Sequence, residues 1–287
     1  MLRSNCERNP RLSQSQPMSA FDIAADGWQT GMNILFRSPQ LFVSAFVLIL
    51  LIDGGMKYLT MGPDANFGSP GNLSNLSSSL ITGIIRTVLE YAVLSSVLVA
   101  VHRQVLLQES TDHPVWQLPP TFTRFFLWML ALMVIMTIPL LALPVLAIGI
   151  AGSISATVFG TLLLFGLAVV ELVIALRSMM LFPALAVAAP GATWRGAWQD
   201  SQGKMLRILG TFFLAMLPVL GFVIVASIVG ALTLGRDRLT GIDNAPGAFS
   251  IAMFLTNALT LVAASVGAVV ASRLFQSHAN VLTRPGA

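Results

Sequence analysis

Long apolar stretches constrain the fold of this chain more than any other feature. No charged residue lies between Arg207 and Arg236, and none lies between Arg124 and Glu171. Apolar residues make up 55% of the 287 residues and charged residues 10%, whereas a soluble domain holds roughly 25% charged residues. Because about 20 apolar residues in a helix cross a bilayer, the sequence predicts an integral membrane protein.

Six such stretches predict an all-α fold, a polytopic membrane helix bundle with six transmembrane helices. The predicted spans cover residues 39–58, 78–107, 121–143, 156–182, 206–232 and 248–275. They define a six-helix transmembrane domain over residues 18–277, with a disordered N-terminal tail at 1–17 and a C-terminal tail at 278–287. The N-terminal tail has no apolar core, so it does not fit a cleavable signal peptide.

Two shorter segments have the pattern of amphipathic helices and precede spans 1 and 5. The first covers residues 19–37, where apolar side chains recur at helical spacing: Phe21, Ala25, Trp28, Met32 and Leu35. The second covers residues 193–204 and places Trp194 and Trp198 on one face. Both segments are too polar to span, and we expect interfacial helices in the headgroup plane. For the first segment, a soluble cap packed on the bundle is the alternative.

Basic residues are distributed unevenly between the two sides of the predicted bundle. Of the 16 lysines and arginines, only Lys57, Arg236 and Arg238 fall on the side opposite the termini, and Arg86 lies inside a span. Since basic residues mark cytoplasmic loops, the sequence predicts a multi-pass protein of the bacterial inner (cytoplasmic) membrane with both termini cytoplasmic. The residues expected to contact lipid headgroups at this interface are Trp28, Arg37, Arg103, Arg124, Arg177, Trp194, Arg195, Trp198, Lys204, Arg207 and Arg273.

The arginines also suggest three helical hairpins. The odd-numbered spans begin after Arg37, Arg124 and Arg207, and the even-numbered spans end at Arg103, Arg177 and Arg273. One interpretation is a threefold repeat of parallel hairpins, which differs from the inverted repeats of many transporters. The alternative is that any protein with basic cytoplasmic loops places its arginines in this way.

Polar residues at membrane depth are the candidates for chemistry, because charges there are costly and usually face the bundle interior. Arg86 and Glu90 are four residues apart on one helix face and can pair. Glu171 has no partner within one turn of its own helix, and Asn257 is a further polar candidate. These four residues are the predicted substrate-binding residues. Their alternative role is to cross-link helices inside the bundle.

No catalytic motif is visible, so we expect neither an enzyme nor a cofactor or metal. The three histidines, His102, His113 and His278, are scattered, unlike the clustered ligands of a zinc site. Cys6 is the only cysteine, which excludes an intrachain disulfide. The pI of about 10.0 reflects arginines at helix ends rather than nucleic-acid binding. Membrane lipid and other membrane proteins are the expected partners.

The chain also resembles a known group. The motifs are Arg-x5-Pro-Ala at 177–184, tryptophans at 194 and 198, Ser-x-Gly-Lys-x2-Arg at 201–207 and Leu-Phe-Arg at 35–37. They are similar to those of a broad group of six-helix bacterial inner-membrane proteins of undefined role. The group includes the membrane region fused to some glycerophosphodiester phosphodiesterases. The resemblance covers most of residues 18–277 and implies a six-helix fold. This chain carries no soluble phosphodiesterase domain, so that activity is not implied.

Two functions follow as hypotheses. The first is a non-enzymatic membrane scaffold or helper that interacts with lipid or partner proteins. The second is a transporter or permease of a small or lipid-like solute that uses Arg86, Glu90 and Glu171. A membrane enzyme acting on lipid is the weakest alternative, because the sequence shows no nucleophile paired with a base.

Overall fold

The computed structural model describes residues 18–60, 73–110, 112–150, 154–234 and 246–283, and these ranges contain helices and no strand. The predicted N-terminal tail and the predicted loops at 60–77 and 234–247 lie wholly or mostly outside them. The helices are α1 (Ala20–Arg37), α2 (Pro39–Thr60), α3 (Leu73–Leu107), α4 (Phe122–Ile150), α5 (Ile154–Ser178), α6 (Leu181–Ala186), α7 (Trp194–Asp200), α8 (Met205–Leu234) and α9 (Pro246–His278).

Five of these helices are long and apolar enough to cross a membrane. The apolar spans are Pro39–Met56, Ile81–Leu107, Phe165–Ala186, Met205–Val229 and Met253–His278. They match five of the six predicted spans and confirm a helical, multi-pass membrane protein. At the position of the third predicted span, the described side chains form the apolar helix Phe122–Thr137, which is part of the 29-residue α4.

Consecutive long helices are in contact, α2 with α3, α4 with α5, and α8 with α9, and α3 also packs on α9 and α4. These contacts are compatible with three hairpins, and the threefold hairpin repeat stays a prediction. The helix ends that carry Arg37, Arg103, Arg124, Arg177, Arg207 and Arg273 meet at one end of the bundle, which we call the arginine end.

The buried core lies towards the arginine end. Its largest fully buried side chains include Phe125, Met180, Ile208 and Leu274, all within a few helical turns of an arginine. Farther along α8, every residue from 221 to 229 is exposed. Exposed apolar side chains cost nothing against lipid tails, which are as apolar as leucine. Among the described residues, the largest fully buried side chains therefore lie near the arginine end.

Helix α1 begins with a capping box and packs on α9. The Ser19 hydroxyl accepts from the Asp22 N–H, and the Asp22 carboxylate accepts from Ser19, which satisfies N–H groups that a helix start leaves open. At Gly27 an added Cβ would lie 2.5 Å from the Val270 side chain. Trp28 donates from its ring nitrogen to the Ala215 carbonyl of α8 at 2.7 Å. These contacts fit the alternative prediction for residues 19–37, a cap packed on the bundle.

The face of α1 that packs on the protein differs from the predicted apolar stripe. The buried residues are Ile23, Ala24, Gly27, Gly31 and Ile34. By contrast, Phe21 of the predicted stripe is 69% exposed. Glycine and alanine let two helices approach closely, and a hydropathy pattern gives such small residues little weight.

The predicted polar loop before α4 folds back between α2 and α3. Val115 is buried, and its N–H donates to the Ser44 hydroxyl at 2.9 Å. Its carbonyl accepts from the Ser96 hydroxyl at 2.8 Å. Ser44 lies about 8 Å along α2 from its start at Pro39, and Ser96 lies about 10 Å along α3 from Arg103, at about 1.5 Å per residue. Backbone at membrane depth must be satisfied by protein groups, and these two serines do so.

Residues 279–283, at the start of the predicted C-terminal tail, pack against α7. The buried Asp200 carboxylate accepts from the N–H groups of Asn280, Val281 and Leu282 at 3.0 to 3.1 Å. Gly191 donates to the Leu282 carbonyl at 3.1 Å. This part of the tail therefore belongs to the folded domain.

Candidate functional site

A polar cluster joins α2, α3 and α9 on the side of the bundle away from the arginine end. Arg86 Nη2 lies 2.6 Å from Asp53 Oδ1, and Arg86 Nε donates to Glu90 Oε1 at 2.6 Å. Asn257 Nδ2 donates to Asp53 Oδ2 at 2.7 Å. We call Asp53, Arg86, Glu90 and Asn257 the polar cluster. It confirms that Arg86 and Glu90 pair, and it brings Asn257 to the same place.

Helix geometry gives the depth of the polar cluster. Asp53 lies about 21 Å along α2 from its start at Pro39, and Arg86 lies about 25 Å along α3 from Arg103, at about 1.5 Å per residue. Asn257 lies about 24 Å from Arg273 by the same measure. The hydrocarbon core of a bilayer is about 30 Å thick. The cluster is therefore inside the apolar layer, near the surface opposite the arginine end.

Asp53 is the functional candidate that the sequence analysis missed. Its side chain is 3% exposed, against 49% for Arg86 and 26% for Glu90. It is the only cluster member that contacts side chains of two other helices. The signal was available, because an acidic residue inside a predicted span is itself a candidate.

Glu171 does not join the polar cluster. It lies on α5, which packs on α4, α6, α7 and α8 rather than between α2, α3 and α9. It is about 9 Å along α5 from Arg177, at about 1.5 Å per residue, and so lies much nearer the arginine end. Its Oε1 is buried and has no hydrogen-bond partner among the described residues. The four predicted substrate-binding residues thus divide into a group of three and a separate one.

Three arginines from different spans hold the segment between α6 and α7. Arg103 forms a two-pronged pair with Glu109 at 2.8 Å and donates to the Ala186 carbonyl at 3.3 Å. Arg124 donates to the Ala192 carbonyl at 2.7 Å. Arg177 donates to the Trp198 carbonyl at 3.1 Å and lies 3.7 Å from the centre of its ring. These contacts hold residues 186–198, from the end of α6 into α7, at the arginine end, and we call this segment the layer 186–198.

Most other residues predicted to contact lipid headgroups also have protein partners. Arg273 pairs with Asp26 at 2.7 Å, and Arg207 donates to the Met18 carbonyl. Lys204 donates to the His278 carbonyl at 3.3 Å. Trp194 stacks on Trp128 and contacts Trp198, with ring centres 6.3 and 6.1 Å apart. Arg37 and Arg195 are exposed, and no described residue bonds to either side chain.

A cavity of about 240 Å³ opens at the arginine end between α1, α3 and α9. Its lining is polar except for two aliphatic residues, and consists of Thr30, Asn33, Ile34, Arg37, Gln104, Val105, Gln108 and Arg273. Gln108 adopts a left-handed backbone with φ 57° directly after α3. A non-glycine residue in that conformation is uncommon and is worth a functional test.

The charge around this cavity favours an anion. Two guanidiniums face it, and one of them is paired with the Asp26 carboxylate. The C-terminal ends of α1 and α3 oppose an anion, but such ends contribute only about 0.3–1 kcal/mol each. A hydrogen bond from a guanidinium to an anion contributes about 1.5–3 kcal/mol, so the guanidinium effect is the larger.

The histidines do not form a metal site in the part of the chain that the structure describes, where no three potential ligands cluster. His102 is buried, and its Nδ1 lies 2.8 Å from the Ser272 hydroxyl. It therefore links α3 to α9 instead of lying free at a helix end.

The fold defines the class: an integral membrane protein with several apolar helices, packed tightly at its arginine end. No protein-family model matches this chain, and no curated protein or solved structure matches it. Its function must therefore be argued from its own geometry.

Proposed function

We propose that this chain is a six-span protein of the bacterial inner membrane with both termini in the cytoplasm. In this proposal it acts as a non-enzymatic scaffold or helper for lipid or partner proteins. Helix α4 supplies the sixth span, since its 29 residues extend about 43 Å at 1.5 Å per residue. That length exceeds the apolar core of a bilayer, about 30 Å.

The observation that carries the scaffold role is the layer 186–198. Arg103, Arg124 and Arg177 come from three spans and all donate to carbonyls of this layer. The charges at the arginine end are thus used to fix one surface in a single conformation. A surface held rigid before contact loses less conformational entropy on binding, which suits a docking platform.

The solvent side of α7 is the proposed partner surface. Arg195 and Gln199 are exposed there, one turn apart, and Gln202 is exposed directly after the helix. The opposite side of α7 is buried at Gly196, Ala197 and Asp200. Substitutions on the exposed side should therefore change binding without unfolding the helix.

Co-purification tests the scaffold role. The protein is extracted into discs of native membrane, and bound proteins and lipids are identified by mass spectrometry. We expect Arg195→Glu with Gln199→Ala to remove a specific partner, and Glu90→Gln with Glu171→Gln to retain it. The opposite result, with cellular function lost only in the glutamate variants, would contradict the proposal.

Transport of a small or lipid-like solute is the second candidate. It is favoured by one observation: Arg86 is 49% exposed at membrane depth while it contacts two carboxylates. A transport path would need polar groups along the bundle, yet Glu171 lies outside the polar cluster on a different set of helices. Solute flux into proteoliposomes that is lost in Glu90→Gln would establish transport and reject a purely structural cluster.

We also propose that the chain belongs with the group of six-helix inner-membrane proteins that its motifs resemble. The motif residues support this proposal because they have defined places in the fold. Arg177 and Trp198 contact each other, and Ser201 and Lys204 form the turn that leads into α8.

A further inference from the structure

We propose that the cavity between α1, α3 and α9 binds the phosphate group of an anionic membrane phospholipid. This inference rests on the proposed membrane role, because it needs the arginine end to lie at a membrane surface. It goes further by naming a site and a ligand class. General attraction of basic residues to lipid would not require a cavity.

The donors in the cavity suit a phosphate. Arg273 is oriented by two protein contacts, since Nε donates to Asp26 at 2.7 Å and Nη1 donates to Gln276 at 3.1 Å. Its Nη2 makes no hydrogen bond to a described residue. Arg37 adds a second guanidinium that no described residue engages. Guanidiniums bind phosphate oxygens in pairs of parallel hydrogen bonds, and the amide groups of Asn33 and Gln108 add neutral donors nearby.

The position of the cavity suits a lipid rather than a free anion. Arg37 lies two residues before the apolar span Pro39–Met56, and Gln104 and Val105 lie in the last turn of Ile81–Leu107. Headgroup phosphates lie just beyond the apolar core, where these spans end. Phe36 and Leu107, which adjoin cavity residues in the chain, are exposed apolar side chains. Basic pockets between membrane helices on the cytoplasmic side are typical binding places for anionic headgroups.

The test compares two arginines that are both exposed. Purified, delipidated protein in detergent is titrated with phosphatidylglycerol or phosphatidylcholine, and native mass spectrometry counts the lipids bound. Arg37→Gln removes one guanidinium from the cavity, and it breaks no hydrogen bond to a described residue. Arg195→Gln is the matched control for general attraction to headgroups, which the sequence predicts for Arg195 as well, because Arg195 is exposed but lies on α7 and does not line the cavity.

We expect one phosphatidylglycerol to bind more tightly than phosphatidylcholine. Arg37→Gln should weaken that binding about tenfold or more, the fold-change expected when a guanidinium no longer hydrogen-bonds an anion, and Arg195→Gln should leave it unchanged. Equal binding of the two lipids, an unaffected Arg37→Gln, or an equal loss in Arg195→Gln would each overturn the inference. Displacement of the lipid by millimolar inorganic phosphate would assign the cavity to a free anion instead. None of these failures touches the scaffold role, which is tested through partner co-purification at α7.

Discussion

Replacing Asp53 by asparagine tests whether the polar cluster holds α2, α3 and α9 together. The asparagine keeps the shape of the side chain and an oxygen that accepts from Asn257, but it removes the charge. The hydrogen bond from Asn257 then changes from a charged to a neutral acceptor and loses about 1 kcal/mol. The ion pair with Arg86 is lost as well, at a cost of at least about 0.5–1 kcal/mol, the value for a pair screened by water, since the cluster lies inside the apolar layer. The total expected loss is therefore at least about 1.5–2 kcal/mol.

The matched control is Glu90→Gln. Glu90 also contacts Arg86, but as an i,i+4 pair on one helix with more exposure. Such pairs contribute about 0.3–0.5 kcal/mol. Glu90→Gln should therefore be much milder than Asp53→Asn, although each variant removes one carboxylate from the same guanidinium.

The assay is the free energy of unfolding in mixed micelles, followed by helical circular dichroism as the fraction of denaturing detergent rises. A double-mutant cycle with Arg86→Gln supplies the pairwise energy, since residues in contact are not additive. If Asp53→Asn is at least as stable as the natural sequence, desolvation of the buried carboxylate outweighs its two contacts. If the Asp53 and Arg86 substitutions add without coupling, the cluster does not hold the helices together. Either outcome refutes the reasoning.

The remaining predictions concern the arginine end. Gly27→Val should cost about 1–3 kcal/mol by overpacking, because its Cβ would overlap a side chain of α9. Gly221→Ala, where a Cβ meets nothing within 4 Å, should cause no loss in the same unfolding assay, since alanine favours a helix over glycine. Asp200→Asn should release residues 279–283, seen as faster proteolysis of the C-terminus in detergent, and unchanged cleavage would contradict the clamp. The pKa of Asp22 is lowered by its hydrogen bonds to the N-cap serine, so its contribution to the start of α1 is present above the ordinary pKa of 3.8 and is lost as pH falls through the lowered value. The protection of first-turn amides, measured against their intrinsic exchange rate at each pH, should fall in strongly acidic buffer, and Asp22→Asn should abolish that pH dependence.

The polar cluster shows how far sequence reasoning reached the candidate site. The spacing of Arg86 and Glu90 predicted their pairing, because four residues on a helix bring two side chains to one face. Asn257 is among the predicted residues and Asp53 is not, although Asp53 is an acidic residue within a predicted span; what the sequence does not contain is their contact, which depends on the packing of α2 against α9. Glu171 was grouped with them because it too is a charge within a span. Only the contacts of α5 with other helices show that Glu171 lies apart from the polar cluster.

The arginines also show what the sequence predicts and what it leaves open. Their places at the helix ends follow from the sequence, and the structure brings those ends together. What each guanidinium contacts does not follow from the sequence, because a long flexible side chain at a membrane surface can reach a lipid phosphate or a carbonyl equally well. The structure commits Arg103, Arg124 and Arg177 to carbonyls of one segment and leaves Arg37 beside a cavity.

The sequence by itself determined that this protein folds in a bilayer rather than in water. Apolar runs longer than a soluble fold can bury require helices in a bilayer, because a helix satisfies its own backbone hydrogen bonds there. The tertiary structure alone decided which faces meet. Lipid tails and apolar side chains are nearly equivalent, so hydropathy does not select helix partners. Close approach at Gly27 and Gly31, and hydrogen bonds such as Asn257 to Asp53, make that selection.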